Sequence, residues 1–485
     1  MIIATCFLIF KGSLMAQINS NTFIKSEIKW SDEISNEISE EINSYLGLTK
    51  TQGAALAIVH NGEVLKKSFY GLANVEKGIE VSENSEFWLA SVAKHLTTTL
   101  ILDLEEDTVL SREDLITKYI PSLPETWNDI KISHLMSHTS GIIDNSYNNP
   151  NGKHFADLLN EHAPEAPSID DFILLLNDVT IGFPAGTAYS YSDIGMMVLA
   201  IISSKAANSP FNELMRERIF MPAGMNSYFN NPQDKRPDKV TGYTLENWSV
   251  KQDANQELVL ATDQRTFGGA GSIFVTLDDM IKWNNALNQN IILQEETKKL
   301  LWEKIKLPSD KMSGNGLGLM NKDYPGGFAV GHDGVSGTEY WKFPDFNTDI
   351  ILLTNHGNSM ASKGLIALVA DKLGLLDVID QEFFLNAMQI EKSTIDGNCI
   401  PIGKFKIMTP MGSYYFLEFY QDNGIPFVII QGIPIKLIHT LDCTFAGYSK
   451  ALFFPGLMPP NFEVKENEIS WIMGPQKIPL TKVEN

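Results

Sequence analysis

Strand-like runs stand at both ends of a long, mostly helical segment, and this arrangement limits the possible folds more than any other feature. Ala54 to His60 and Val64 to Tyr70 are apolar runs that flank Asn61-Gly62, a dipeptide typical of a two-residue hairpin turn. Similar runs return far downstream, at 328–332, 338–343 and 349–354. Because hairpins rather than crossovers connect neighbouring strands, we expect one largely antiparallel sheet built from both ends of this segment.

The segment between these strands is mostly helical in pattern from about 107 to 290. Before it, 31–46 predicts an amphipathic helix, and a helical stretch follows Ser91 to about Glu106. Thr276 to Asp279 resembles a capping box at the start of another helix, and 361–373 predicts a further one. The expected class is therefore α+β, with helices flanking the sheet and a mainly helical insert.

A second domain is predicted after about residue 376, where the residue pattern of the sequence changes. The chain has 485 residues, which is too long for one ordinary core. Residues 400–485 contain alternating β-branched and aromatic runs that Gly, Pro and Asn-Gly separate. We therefore expect a main domain over 17–375 and a small all-β domain, a sandwich or a barrel, over 376–485.

The N-terminus predicts a signal peptide over 1–16. Ile2 to Phe10 is apolar, and Leu14-Met15-Ala16 precedes Gln17 where a signal peptidase could cut. A periplasmic or secreted location follows, and the alternative is the frayed end of a cytoplasmic protein. No apolar run in the body of the chain is long enough to span a bilayer, so no integral membrane segment is expected.

Charge and cysteine content exclude several classes of function. The chain carries 38 Lys and Arg against 59 Asp and Glu, a net charge of −21, which disfavours binding to nucleic acid or anionic lipid. Cys399 and Cys443 could pair in an oxidising compartment, but the absence of a Cys-x-x-Cys makes a thiol-rich zinc site improbable. Neither a metal nor an organic cofactor is expected, and the sequence leaves the oligomeric state open.

Ser91-Val92-Ala93-Lys94 is the first candidate for chemistry. At the start of a helix, this spacing places both side chains on one face, one turn apart. A lysine in a water-poor cleft can accept the proton of a serine. The same spacing at Ser26 to Lys29 shows that the motif alone is weak, and a helix cap beside a surface lysine is the alternative.

Two further motifs give the serine a context. Tyr191-Ser192-Asp193 precedes the apolar run Ile194 to Ile202, and Gly331-His332-Asp333-Gly334 stands just before a strand. With Ser91 and Lys94, they resemble the serine β-lactamase and penicillin-recognising family, in its class C β-lactamase, family VIII esterase and D-aminopeptidase branch. Further stretches that look like this family are His138 to Ile142, Gly268 to Ser272 and Ile350 to Asn355. The resemblance covers roughly 35–375.

The resemblance implies a β-lactamase/transpeptidase-like fold and a role for each matching residue. Ser91 would be the nucleophile, Lys94 its general base or proton relay, and Tyr191 the proton carrier to the leaving group. A phenol beside an ammonium group is expected to have a depressed pKa. The backbone N–H groups of Ser91 and Val335, which follows Gly334, would form the oxyanion hole. A core tyrosine is the alternative for Tyr191.

Two departures from the family pattern affect the expected substrate. Asp193 stands where many relatives have Asn, so an amide donor is lost and a charge is added beside Lys94. His332 replaces a lysine and would be a weaker, pH-dependent anchor for a substrate carboxylate. We therefore expect esters first, short D-amino-acid peptides or amides next and β-lactams last. A purely structural role for His332 is the alternative.

Three other readings stay open. The chain could be a β-lactamase-fold binding protein with little or no turnover, or a true β-lactamase. It could also be a serine hydrolase that uses His332 as its base.

His134 and His138 are four residues apart, but Leu135 replaces the glutamate of a zinc-protease motif. The all-β domain is expected to pack near the mouth of the cleft and to restrict substrate size.

Overall fold

The computed structural model describes most of the chain between residues 27 and 482. The described ranges are 27–144, 168–176, 179–246, 249–261, 263–266, 268–309, 312–324, 327–357, 359–376, 402–408, 414–422, 425–430, 433–439, 444–448, 461–465, 468–473 and 476–482. The predicted signal peptide, Cys399 and Cys443 lie outside these ranges, so the leader and the cysteine pairing stay predictions.

Most helices occupy the regions in which the sequence pattern predicts them, whereas Glu295–Lys299 was not predicted and four short strands interrupt the segment expected to be mostly helical. The helices are α1 Asp32–Thr49, α2 Lys94–Glu106, α3 Ile132–Met136, α4 Ile169–Leu176, α5 Asp193–Ala207, α6 Phe211–Met215, α7 Met221–Ala223, α8 Ala254–Ala261, α9 Leu277–Asn288, α10 Glu295–Lys299 and α11 Ser359–Lys372. The predicted capping box is present at the start of α9, where Thr276 and Asp279 exchange hydrogen bonds with each other's backbone N–H.

The strands of the main region are short at its middle and longer at its two ends. They are β1 Gly53–His60, β2 Glu63–Asn74, β3 Ile79–Glu80, β4 Phe87–Trp88, β5 Tyr228–Phe229, β6 Tyr243–Glu246, β7 Ser249–Gln252, β8 Ile273–Val275, β9 Met320–Tyr324, β10 Gly327–Asp333, β11 Glu339–Phe343 and β12 Thr348–Thr354. The turn between β1 and β2 has positive φ at both Asn61 and Gly62, the conformation that an Asn-Gly hairpin favours.

The central sheet joins the two ends of the main region, as the sequence predicts. Its seven strands run in the order β3-β2-β1-β12-β11-β10-β9, and each described pairing between them is antiparallel. Ala54 lies opposite Thr354 in the β1–β12 pairing. The sheet can therefore form only when segments far apart in the chain meet.

Helices cover both faces of this sheet, which explains why β1 is apolar at almost every position. Ala54 and Leu56 point to one face, where they pack in a core with α1 and α11. Ala55 and Ala57 point to the other face, where they pack with α2, α9 and the rest of the helical region. A strand that is buried on both faces loses the alternation of apolar and polar residues.

The C-terminal strands form a closed barrel. They are β13 Gly403–Met408, β14 Tyr414–Asp422, β15 Ile425–Ile430, β16 Ile433–His439, β17 Thr444–Tyr448, β18 Asn461–Lys465, β19 Glu468–Met473, β20 Gln476–Pro479 and β21 Thr481–Lys482. Each strand from β13 to β19 pairs with the next. Only Leu480 separates β20 from β21, and β21 pairs with β13, which closes the barrel. The prediction of a barrel or a sandwich resolves to a barrel.

Aromatic and aliphatic side chains fill the interior of the barrel. Phe419 and Phe462 are both buried, and their rings meet edge to face with centroids 5.1 Å apart. The barrel core is continuous with the core between the central sheet, α1 and α11, and β16 lies against α11. In the described ranges the barrel thus packs behind the sheet, on the face opposite α2. The expectation that it lies near the mouth of the cleft and restricts substrate size stays a prediction.

Among the described helices, none is by itself long and apolar enough to cross a membrane. The pair Asp193–Ala207 and Phe211–Ala223 meets the length and composition criteria only when the two are joined, and they are bent by 85° relative to each other.

Candidate active site

Ser91 stands on a sharp turn between β4 and α2. The residue before it, Ala90, has a φ of 47°, in the left-handed region that residues with a side chain seldom occupy. Leu89 anchors this turn through two hydrogen bonds: its N–H donates to the Ile273 carbonyl at 2.8 Å, and its carbonyl accepts from the Thr338 hydroxyl at 2.8 Å. Neighbouring segments thus hold the turn, with Ser91 half-buried at its tip.

Lys94 is directed at Ser91 from the first turn of α2. Its ammonium nitrogen lies 2.9 Å from the Ser91 Oγ and 2.7 Å from the Asp193 Oδ1, and it also donates to the Ala270 carbonyl. The side chain is only 1% exposed. The alternative of a helix cap beside a surface lysine is therefore wrong, since this lysine is buried among three oxygen partners.

The glycine-rich segment from 268 to 271 supplies one of those partners. Its backbone lies so close to α2 and α5 that a Cβ at Gly269 would be 2.5 Å from the Met196 carbonyl. The Thr97 hydroxyl donates to the Gly269 carbonyl at 2.8 Å, and the Trp88 indole N–H donates to the Gly271 carbonyl at 2.7 Å. Glycine allows this close approach because it has no Cβ. The contact between Lys94 and Ala270 was not predicted, because nothing in the local pattern indicates it.

Tyr191 approaches Ser91 from the loop before α5. The Lys94 nitrogen lies 5.0 Å from the centre of its ring, and the nearby Ser91 hydroxyl acts on the phenol as a hydrogen-bonding group. Burial and the negative charge of Asp193 hold the pKa of Tyr191 well above its usual value, although the Ser91 hydrogen bond lowers it. The expected depression of this pKa is therefore wrong: a neutral phenol is favoured, which can donate a proton.

His138 packs against the ring of Tyr191. Its ring lies 4.4 Å from that of Tyr191 between centroids, and its Nδ1 accepts a hydrogen bond from the Ser192 N–H at 3.2 Å. Burial, followed by the charge of Lys94, lowers the pKa of His138 well below 6.5, so the imidazole is neutral. The neutral ring thus packs against Tyr191 and helps to position it.

Asp193 begins α5 with its carboxylate beside Lys94. Ser192 caps the helix by accepting the Gly195 N–H at 3.0 Å, and the Asp193 N–H donates to the Asp144 Oδ2 at 2.6 Å. About a third of the Asp193 side chain is exposed, at 34%. The residue that departs from the family pattern therefore lies next to Lys94, where it forms an ion pair rather than offering an amide donor.

His332 lies at the end of β10 with its ring 6.1 Å from that of Tyr191, between centroids. Its Nδ1 donates to the Asp333 carbonyl at 2.6 Å, which leaves Nε2 as a buried nitrogen without a hydrogen-bond partner in the described residues. Burial lowers the pKa of His332 to about 4, although Asp333 raises it. Since the imidazole is neutral near pH 7, the expected anchor for a carboxylate carries no charge there.

Gly334 and Val335 follow on the turn after β10. A Cβ at Gly334 would lie 2.9 Å from the Leu89 carbonyl and would collide with the Thr338 hydroxyl. Only glycine therefore allows this turn to pack against the backbone just before Ser91. Val335 is next along the chain and is 37% exposed. The structure thus brings Ser91, Lys94, Tyr191 and Asp193 together, with His332 and Gly334 beside them.

Tyr189 is a further residue at this site that sequence reasoning missed. Its ring meets the edge of His138 with centroids 6.0 Å apart, and its hydroxyl accepts a hydrogen bond from the Asn315 side chain at 3.1 Å. The side chain is 40% exposed. Its position two residues before Tyr191 was the available signal, since alternate residues of an extended segment share a face.

The Beta-lactamase family model matches residues 41–373, and this match includes every residue of the site. The chain belongs to the Beta-lactamase family. Within this family, a penicillin-binding protein of Bacillus subtilis (strain 168) is 25% identical over 320 residues, which are 64% of this chain and 66% of that protein. A D-aminopeptidase of Gluconobacter oxydans (strain 621H) is 24% identical over 311 residues, 63% of this chain and 55% of that protein.

A solved structure extends the likeness of fold beyond the family match. The octameric penicillin-binding protein homologue from Pyrococcus abyssi superposes with a TM-score of 0.60 at 19% identity, covering 92% of this chain and 100% of that one. The predicted β-lactamase/transpeptidase-like fold is thereby confirmed. The chain spans about two thirds or less of the length of the two curated relatives named above, at 66% and 55%.

Proposed function

We propose that the chain is a serine hydrolase that forms an acyl-enzyme at Ser91. The observation that carries this proposal is the buried Lys94 nitrogen 2.9 Å from the Ser91 hydroxyl, with the Tyr191 ring 5.0 Å from the same nitrogen. Two proton-carrying groups at one hydroxyl are what nucleophilic catalysis requires. Membership of the Beta-lactamase family supports the same conclusion.

The reaction follows from these contacts. In the reacting state Lys94 is a neutral amine and Tyr191 a neutral phenol. As the Ser91 Oγ attacks a carbonyl carbon, its proton passes to the amine of this Lys94–Tyr191 pair, and the N–H groups of Ser91 and Val335 would stabilise the oxyanion. The pair returns the proton to the leaving oxygen or nitrogen as its bond to the carbonyl carbon breaks. Water then attacks the acyl-enzyme and gives up a proton to the pair, and Ser91 recovers a proton as the acid departs.

The charges of the cleft favour substrates without a carboxylate next to the scissile bond. His332 is neutral near pH 7, and Asp193 places a negative charge beside Lys94. An anionic β-lactam would therefore meet repulsion where an ester or an amine-bearing D-amino-acid amide would not. We propose esters and small D-amino-acid peptides or amides as the substrate class, with β-lactams the least favoured.

The ion pair between Lys94 and Asp193 also supports a second candidate, a binding protein with little turnover. A lysine that is engaged with a carboxylate at 2.7 Å is a less available base. The two candidates differ in the reactivity of Ser91, because a binding protein needs no activated hydroxyl.

Labelling with a fluorophosphonate, read by intact mass and peptide mapping, separates the two candidates. We expect one adduct, at Ser91, together with turnover of nitrophenyl acetate or butyrate that Ser91→Ala abolishes. Ser204→Ala is the matched control, since this half-buried serine only donates to the Ala200 carbonyl, at 3.1 Å. Turnover that survives in Ser91→Ala would refute the hydrolase proposal, and a folded protein that resists the label would favour the binding protein.

Location, domain boundaries and partners complete the proposal. We place the protein in the periplasm or the medium, with a leader over 1–16, a catalytic domain over 17–375 and a β-rich domain over 376–485. The barrel, which begins at Gly403, supports the last of these boundaries. Partners are small-molecule or short-peptide substrates rather than nucleic acid. N-terminal sequencing of the protein recovered from the periplasm or the medium of its expression host tests the leader, and a mature start at Gln17 is expected.

A further inference from the structure

A cluster of charged side chains lies directly behind the strand end that carries His332. The Lys363 nitrogen, on α11, is 2.9 Å from the Asp333 Oδ2. Glu339 lies opposite Asp333 in the β10–β11 pairing and is 1% exposed. Its two carboxyl oxygens accept hydrogen bonds from the Ser362 hydroxyl and the Trp341 indole, both at 2.7 Å. None of these side chains has a part in the proposed reaction.

The charges within this cluster balance near neutral pH. Burial and the neighbouring Asp333 raise the pKa of Glu339 from 4.5 to about 8, so this carboxyl is mostly protonated at pH 7. Burial opposes the ionisation of Asp333, but Lys363 and His332 outweigh it and hold the pKa of Asp333 low. The cluster therefore contains one carboxylate and one ammonium group, and each is the other's main partner.

Asp333 connects this cluster to the cleft. It stands between His332 and Gly334, and its carbonyl accepts the His332 Nδ1 hydrogen bond at 2.6 Å. Its charge also reaches the phenols in front, since Asp333 contributes to raising the pKa of both Tyr189 and Tyr191. A change in the position or the net charge of Asp333 would therefore affect His332, the turn that carries Val335, and Tyr191 together.

We propose that Lys363 is a positioning residue of the active site. Its ion pair with Asp333 fixes the end of β10, so that the His332 ring and the Val335 N–H keep their places relative to Ser91. The pair also neutralises a carboxylate that would otherwise stand unbalanced behind Tyr191. The kinetic part of this inference rests on the proposed hydrolase function, whereas the electrostatic part does not.

Lys363→Met tests the proposal, and Asp333→Asn/Lys363→Met is the rescue variant. We expect Lys363→Met to lower kcat for a nitrophenyl ester at least tenfold with a smaller change in KM, because an unpaired carboxylate remains near the proton carrier. The double variant should recover most of this loss, since it removes that carboxylate. A double variant no faster than the single one, or a single variant with normal kcat, would overturn the proposal.

Lys342→Met is the matched control. Lys342 is equally an inward-facing lysine in an ion pair, 2.8 Å from Asp349 on the neighbouring strand, and it also donates to Asn284 and Asn288. We expect its replacement to lower the melting temperature and leave kcat unchanged. A fall in kcat equal to that of Lys363→Met would reduce the effect at Lys363 to general destabilisation and would refute a positioning role.

A titration of His332 by NMR needs no turnover and so separates this inference from the proposed function. With ¹⁵N-labelled histidine and His332→Gln for assignment, we expect the pKa of His332 to rise above about 4 in Lys363→Met, because Lys363 lowers it and Asp333 raises it. Lys342→Met should leave it unchanged. An unchanged His332 in Lys363→Met would refute the coupling, even in a protein that Ser91 labelling had shown to be inactive.

Discussion

The Lys94 ammonium nitrogen lies 2.7 Å from the Asp193 Oδ1, so the general base proposed for Ser91 is held in an ion pair. The same nitrogen is 2.9 Å from the Ser91 Oγ. A carboxylate in this position holds the lysine in an ion pair while it also contacts the serine, and the carboxylate offers no donor to a substrate carbonyl. The identity of residue 193 is therefore expected to control both rate and selectivity.

Asp193→Asn should raise activity toward β-lactams. The change removes the charge paired with Lys94 and supplies an amide donor, which is worth about 1–2 kcal/mol for a hydrogen bond made in the transition state. We expect kcat/KM for a chromogenic cephalosporin to rise roughly tenfold, with a smaller change for nitrophenyl butyrate. Asp278→Asn is the control, since Asp278 pairs with Lys67 at the surface, 2.9 Å away. A parallel rise for both substrates would contradict the selectivity argument.

Tyr191→Phe should lower kcat by about 10²–10⁴ without unfolding the protein. The phenylalanine ring keeps the contact with His138, 4.4 Å away between centroids, while the proton-carrying hydroxyl is lost. Stopped assays with a nitrophenyl ester and thermal melts of both proteins check this. Because the pKa of Tyr191 is raised well above its usual value, wild-type activity should show no decline from tyrosine ionisation up to pH 9. A tyrosine-dependent decline near pH 8 would show that the phenol ionises readily.

Gly334→Ala should abolish most activity. The added Cβ would meet the Leu89 carbonyl at 2.9 Å and the Thr338 hydroxyl more closely still, so the turn that carries Val335 must move away from Ser91. Loss of one oxyanion donor costs about 10²–10³ in kcat. Gly47→Ala in α1 is the control, since nothing lies within 4 Å of its Cβ position. Normal kcat in Gly334→Ala would exclude this turn from the oxyanion site.

Acid should destabilise the protein through its buried histidines. Burial lowers the pKa of His95 to about 3 and of His332 and His356 to about 4, whereas an unfolded histidine binds its proton near 6.5. The stability linked to these lowered pKa values is fully present above pH 6.5, and it is lost as the pH falls from there through about 4. At pH 5, each of these histidines should lower the free energy of unfolding by about 2 kcal/mol relative to pH 7, as measured by urea unfolding.

His356→Leu should reduce this loss between pH 7 and pH 5, because it removes one buried imidazole whose two nitrogens lack hydrogen-bond partners in the described residues. His60→Asn is the comparison, since His60 lies half-buried at the β1–β2 turn and bonds to the Thr348 hydroxyl at 2.9 Å. Equal pH dependence in wild type and His356→Leu would show that this histidine is not a source of acid sensitivity.

Local patterns predicted the parts of this protein that depend on short-range chemistry. The Asn61-Gly62 turn, the capping box at Thr276 and the one-turn spacing of Ser91 and Lys94 are set by residues within a few positions of each other. The strand runs at 54–60 and 349–354 also indicated one shared sheet, since they stand at the two ends of the mostly helical segment.

The sequence could not predict contacts whose partners carry no pattern of their own. Lys94 donates to the Ala270 carbonyl, 176 residues away, and the Asp193 N–H donates to Asp144, 49 residues away. Any residue type offers a carbonyl, so nothing in the residue at 270 marks it. The pKa of Tyr191 was predicted in the wrong direction for a related reason: nearby charges can be guessed from motifs, but the extent of burial requires the fold.

The pairing of β1 with β12 has a consequence for how the chain reaches its folded state. The Gly53 N–H donates to the Asn355 side chain, 302 residues away, so on the ribosome the first hairpin emerges long before its neighbour exists. Until β12 has been synthesised, the apolar strand β1 has an unpaired edge, through which it can associate with other chains. The barrel differs, because nearly all of its pairings join consecutive strands. Folding of the catalytic region, rather than of the barrel, should therefore depend on protection during synthesis.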